Sequence, residues 1–135
     1  MAFPIPESHK DLLERPIVVA LITVMPDCQP QATPVWVDFD GTHVIVNTAR
    51  GRQKDKNMKP GAKVTVLSID PDDDNRWIEI RGRIADESEV GAVAVINALS
   101  AKYNGNPDFF GDSPRRFTEQ RVTYKIEPIK VNTSG

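Results

Sequence analysis

Cysteine is nearly absent from this sequence: Cys28 stands alone, so no disulfide can form within the chain, and with only His9 and His43 beside it no zinc-type ligand spacing exists. Long apolar runs are also missing. The longest, Ile17 to Ile22, has the length of a strand, and no stretch resembles a signal peptide or a membrane span, which leads to the expectation of a cytoplasmic protein that does not enter the membrane. The side-chain constellations of common catalytic sites are lacking as well. There is no Gly-x-Ser-x-Gly elbow, no Walker-type loop and no His-Glu metal motif. The run Asp72-Asp73-Asp74 is a poor metal site, because three successive carboxylates in a turn cannot all point one way. No repeat or low-complexity tract is visible, and no metal is expected.

What is present suits one small domain spanning residues 1–135, with 39% hydrophobic residues to fill a single core. Ser8 and Asp11 form an N-cap pattern for a two-turn helix, Ser8 to Glu14, which Pro16 ends. Six segments then carry strand patterns: Pro16 to Val24, Pro30 to Phe39, Thr42 to Thr48, Ala62 to Asp70, Arg76 to Ile84 and Arg121 to Glu127. Pro26-Asp27-Cys28 is a turn whose third position suits glycine, and Asp40-Gly41 is a strong hairpin signal. Pro34 removes a ladder donor from its strand, which should therefore lie on an edge or carry a bulge, with backbone groups free for a ligand.

Ala62 to Asp70 is apolar on both faces and should be covered on both. In Arg76 to Ile84, Ile78, Ile80 and Ile84 should face the core, while Trp77, Glu79, Arg81 and Arg83 face either solvent or a partner. One long helix, Ser88 to Tyr103, aligns Ala92, Val95, Ile96, Leu99 and Tyr103 in an apolar stripe. The loop Asn104 to Pro114 carries Phe109-Phe110, which either close over a pocket or bury against the domain. Strands joined by tight turns, with one helix late in the chain, make a mainly β protein: an antiparallel barrel with helices at its margins.

Charge is unevenly placed. Arg50, Arg52, Lys54, Lys56 and Lys59 against Asp55 give this stretch +4, while the chain totals −2, so the remainder carries −6. Such a concentrated patch suits a small anion, whereas the acidic remainder would repel a nucleic-acid backbone. In an extended segment, residues spaced by two project to one side, so Arg50, Arg52 and Lys54 can converge on a phosphate, with the Thr48 hydroxyl as a neutral donor. A short helix over Lys54 to Met58 would add backbone donors. A solvated basic turn is the other reading of the same residues.

The order of motifs resembles the pyridoxamine 5′-phosphate oxidase-like family of flavin- and deazaflavin-binding split barrels. The match runs through P-D-x-x-P-Q at Pro26 to Gln31, P-V-W at Pro34 to Trp36, D-G at Asp40-Gly41, N-T-A-R-G-R-Q-K-x-x-N at Asn47 to Asn57, and I-x-G at Ile80 to Gly82. It covers about Leu12 to Val131, departing at Cys28, where glycine is usual. The resemblance implies a six-stranded split barrel of the FMN-binding type, assembled as a homodimer with two cofactor sites at the subunit interface. The segment with Arg52, Lys54 and Asn57 is similar to that of members using the deazaflavin coenzyme F420, with FMN as the alternative. By the same resemblance Thr48, Arg52 and Lys54 hold the phosphate, Asn47 lies near the ring, and Arg50 reaches the coenzyme's acidic tail. The backbone of Thr33, Pro34, Val35 and Trp36 would run along the ring, and Trp77 would approach from the second subunit. The implied activity is hydride transfer to or from a small organic substrate; a carrier or sensor of the same cofactor is the other class. A hydride-carrying cofactor also accounts for the missing acid, base and nucleophile.

Overall fold

The computed structural model describes residues 2–135. After a 3-10 turn at Glu7–His9, the elements in chain order are α1 (Asp11–Glu14), β1 (Val19–Val24), β2 (Pro30–Val35), β3 (Asp38–Phe39), β4 (Val44–Ala49), α2 (Gln53–Asn57), β5 (Lys63–Ile69), β6 (Trp77–Ser88), α3 (Ala92–Asn104) and β7 (Arg121–Ser134). A second 3-10 turn, Pro114–Phe117, precedes β7. All strand pairings are antiparallel, and the seven strands form one sheet in the order β2-β1-β5-β6-β7-β4-β3.

That order explains the curvature. Strands β2 and β3 lie on opposite edges of the sheet, yet only Trp36 and Val37 separate them in the chain. Such a link spans roughly 10 Å when extended, so the sheet must curl until its edges nearly meet. The result is a barrel joined at that point by a chain corner rather than by a hydrogen-bonded ladder: a split barrel, mainly β as the sequence indicates. Its seven strands replace the expected six because Pro30 to Phe39 is broken at the corner. The Val37 amide donates to Tyr103 Oη at 3.0 Å, and its carbonyl accepts from Lys102 Nζ at 2.7 Å, so these groups serve α3 instead of a ladder.

Alternation along the strands fills the interior. Val19, Leu21, Val64, Val66, Ile78, Ile80, Ile84, Val44, Val46, Val122, Tyr124 and Ile126 form the core, and Leu12, Leu13, Val37 and Met58 complete it. The three isoleucines of β6 are fully buried, as their spacing predicts. Pro34 sits on an edge strand, where its missing amide disturbs no inner ladder. Cys28 adopts φ 72°, the left-handed conformation that makes glycine the easier residue at that turn.

Several boundaries differ from the pattern. Strand β6 runs past Ile84 to Ser88, because Asp86 to Ser88 pair with Thr123 to Lys125 of β7, so α3 starts at Ala92 and not at Ser88. Strand β7 continues through Pro128 to Ser134 because the proline falls opposite Gly82, where the β6–β7 register shifts. Gly82 is needed there: a Cβ would stand 2.6 Å from the Glu127 carbonyl oxygen. At the N-terminus, Ser8 caps no helix. Its hydroxyl donates to His9 Nδ1 at 2.7 Å, while Nε2–H donates to the Ser134 carbonyl at 2.8 Å, a bond that ties the two chain ends together and assigns the tautomer.

Candidate functional site

The basic stretch leaves β4 and turns at once. Gly51, at φ 93°, ends the extended run, and α2 begins two residues later. Spacing by two therefore does not keep the three cations together. Arg50 swings back to Glu89 at 2.8 Å, Asp55 at 3.0 Å and Glu87 at 3.3 Å, with the hydrogen bond to Glu89 foremost in raising its pKa. Arg52 and Lys54 face the other way, into a groove of about 360 Å3.

The loop is fastened from beneath by Asp55. Burial pushes this carboxyl's pKa up, but donors from Tyr124, the Gly51 amide and Arg50 outweigh it, and the net value lies below the ordinary 3.8. The Gly51 amide donates to Asp55 Oδ2 at 2.9 Å, and Tyr124 Oη donates to Oδ1 over a short contact. Asn57 completes the anchor by donating to Thr23 Oγ1 at 3.0 Å while accepting from Gln53 at 2.9 Å. Asn57 thus stands behind the loop, not in the groove.

Strand β4 supplies one wall. Asn47 faces outward, donating to the Ala92 carbonyl at 2.9 Å and to Thr123 Oγ1 at 3.0 Å. Thr48, the next residue, faces inward; it is 2% exposed, and its hydroxyl has no hydrogen-bond partner among the described residues. Strand alternation thus turns away from the groove the hydroxyl expected beside a phosphate. The opposite wall is the chain corner: Pro34, Val35 and Trp36 line the groove with Val18 and Ile96. Trp36 stacks on Tyr103, centroids 5.2 Å apart at 14°, and meets the edge of Phe109 at 6.1 Å. Tyr103 is held in turn by donating to the Ile17 carbonyl at 2.7 Å.

Arg121 also lines this groove, and sequence reading misses it. It opens β7 opposite Ala49, outside the barrel, so only the β4–β7 register brings it beside Asn47, to which its Nε donates at 2.9 Å. Glu119 accepts from its Nη1 and stands 3.6 Å from both Arg52 and Arg115. Lys54 has no ion pair or hydrogen bond among the described residues. Burial lowers its pKa first, and the positive fields of Arg52 and Arg121 lower it further. A half-buried ammonium repelled by two guanidinium groups marks a place where an anion is welcome.

Thr33 and Trp77 lie beyond this groove. Thr33 lines an adjoining depression with Ala20, Ala32 and Leu67, and Trp77 a third with Ile22, Thr65 and Glu79. Adjacent depressions share residues: Val18 and Pro34 line both the groove and the Thr33 depression, and Leu67 and Ile69 line both the Thr33 and the Trp77 depressions. Val18 is 57% exposed and Ile69 43% exposed on this face.

The family model for pyridoxamine 5′-phosphate oxidase matches residues 5–132. The chain belongs to the pyridoxamine 5′-phosphate oxidase family. Among solved structures it is similar to one named F420 reductase, with 30% identity and a TM-score of 0.80 over 95% of this chain and 98% of that one. The fold also matches the conserved hypothetical protein Rv2991 from Mycobacterium tuberculosis, at 22% identity and TM-score 0.72, covering 96% of this chain and 84% of that one. General Stress Protein 26 from Bacillus anthracis aligns at 20% identity and TM-score 0.67, covering 95% and 92%. No curated protein matches the sequence. Like other members of the pyridoxamine 5′-phosphate oxidase family, the chain is a split barrel; no helix among its described residues is long and apolar enough to cross a membrane.

Proposed function

We propose that this protein is a deazaflavin-dependent oxidoreductase that uses F420 with a small organic substrate. The observation that carries the reading is the unpaired Lys54 beside Arg52 in a groove walled by the Pro34 to Trp36 corner, joined to the likeness to an F420 reductase. The donor set fits a phosphate: two cations, one without a carboxylate partner, on a loop that Asp55 fixes from behind. Arg52 and Lys54 would bind the phosphate, Asn47 and the corner backbone from Thr33 to Trp36 would orient the ring, and Trp36 with Phe109 would keep water from one end of it. When bound, the deazaflavin supplies the hydride-carrying centre, and the protein's part is orientation and electrostatics.

The apolar face from Val18 to Trp77 would seat a second copy of the chain, giving a homodimer in which Trp77 reaches the partner's site. Thr48 and Asn57 then act by supporting the strand exit and not by contact. Arg50, already matched by three carboxylates, leaves Lys56 and Lys59 as the cations for an acidic tail. That engagement of Arg50 is also what favours the second reading, FMN in the same groove, since FMN has no such tail.

Titrating F420, its tail-less precursor and FMN into the purified protein separates them. F420 should bind most tightly, and its advantage over the precursor should shrink with added salt as the tail charges are screened. Tight binding of FMN with no measurable affinity for F420 would replace the proposal by an FMN-dependent oxidoreductase.

A further inference from the structure

We propose that Arg121 is the third cation of the groove, and that it fits the site to a ligand end carrying two negative charges. The inference rests on the reading of Arg52 and Lys54 as phosphate ligands and extends it to a residue from a distant part of the chain.

Arg121 is only 3% exposed, yet it lines the groove. A buried guanidinium is costly unless its donors are used, and here two of its three nitrogens are accounted for: Nε by Asn47 and Nη1 by Glu119. The ring of Phe109 lies 5.1 Å from its central carbon and keeps water from one face. Nη2 has no partner among the described residues and is not enclosed, so it is the donor left for the groove. Asn47 and Glu119 hold the fork in one orientation, so little freedom is lost when Nη2 binds a ligand oxygen.

Charge sets the preference. The groups facing Arg121 are Glu119 and Arg115 from the preceding segment, Arg52 and Lys54 from the strand exit, and uncharged Asn47 from β4. Arg115 lies on the outer side with half its side chain exposed, leaving three groove cations against one carboxylate. At Lys54 burial depresses the pKa first, and repulsion from Arg52 and Arg121 depresses it further. A net charge of about +2 is matched by a phosphate monoester, or by a phosphate diester with a carboxylate beside it. With Arg121 neutralised, the groove would hold about +1 and should no longer prefer the dianion.

Three probes read this without cofactor or turnover: phenyl phosphate, methyl phenyl phosphate, and the mixed diester of phenyl phosphate with lactate, each titrated by calorimetry. At pH 8 the wild type should bind at least one doubly charged probe about tenfold more tightly than methyl phenyl phosphate; which one does so identifies the source of the second charge. For phenyl phosphate the preference should fade as pH drops below about 6, where the monoester takes up a proton. Arg121→Gln should bring the preference below about threefold. Arg121→Lys, which keeps the charge but loses the fork, should retain it with weaker overall binding. A wild type that does not distinguish the probes overturns the proposal without need of a variant, as does an Arg121→Gln protein that keeps the tenfold preference. Lys54→Gln separates the two levels: if it leaves every affinity unchanged, the phosphate reading itself falls, whereas if it weakens all three probes while Arg121→Gln changes nothing, only the role of Arg121 is lost.

Discussion

Single side chains decide what this groove can hold, and they do so through which way they point. Arg50, Arg52 and Lys54 are equivalent in a reading by spacing, but Gly51 breaks the extended geometry and sends Arg50 to Glu87, Glu89 and Asp55. Asp55 is the residue on which this arrangement turns. Its folded pKa lies below 3.8, so its stabilising contribution is present above the unfolded value and is lost as pH falls through the lower, folded one; Asp11 and Asp70, bound to Arg76, share that sign. Unfolding free energy from urea titrations should therefore stay level above about pH 5 and decline below about pH 4. Asp55→Asn should cost about 1 to 3 kcal/mol at pH 7 and flatten part of the acid decline. A variant as stable as the wild type with the same acid profile would show that the carboxylate is not what fastens the loop.

Elements were legible from the sequence where their signals are local, and illegible where a distant partner settles them. Composition, turn signals and alternation located the strand segments, with β2 and β3 read as one, and alternation gave the inward isoleucines of β6, while Pro34 marked an edge. The break at Trp36 and Val37 carries no local signal, because the groups that capture the Val37 backbone, Lys102 and Tyr103, are 65 and 66 residues away. Arg121 was hidden for the same reason: only the pairing of β4 with β7 sets it beside Asn47. Asn47, Arg52, Lys54 and Pro34 to Trp36, which line one groove, fall in two short motifs of the sequence. The corner depends on α3 in a way that can be measured. Tyr103→Phe leaves the buried Val37 amide and Ile17 carbonyl without their partner and should cost about 1 to 3 kcal/mol in urea unfolding. Cofactor affinity should fall with it, since Trp36 loses the ring orientation it stacks upon; an unchanged affinity would detach the corner from the site.

At the scale of the whole molecule, the barrel keeps its core inside and its cationic groove outside, at the corner where opposite sheet edges meet. The apolar face beside that corner should pair with a second copy, and sedimentation should report about 30 kDa against 15.0 kDa for one chain. A monomer at micromolar concentration would leave Trp77 without a role in the site. The central claim, that the cations on the strand exit anchor a cofactor phosphate, is tested most directly by one comparison: the dissociation constant of F420 for the wild type and for Lys54→Ala, measured by absorbance titration. A charged hydrogen bond contributes about 1.5 to 3 kcal/mol, so the variant should bind roughly ten- to a hundredfold more weakly while folding as before. Equal dissociation constants would remove Lys54 from the site and contradict the account.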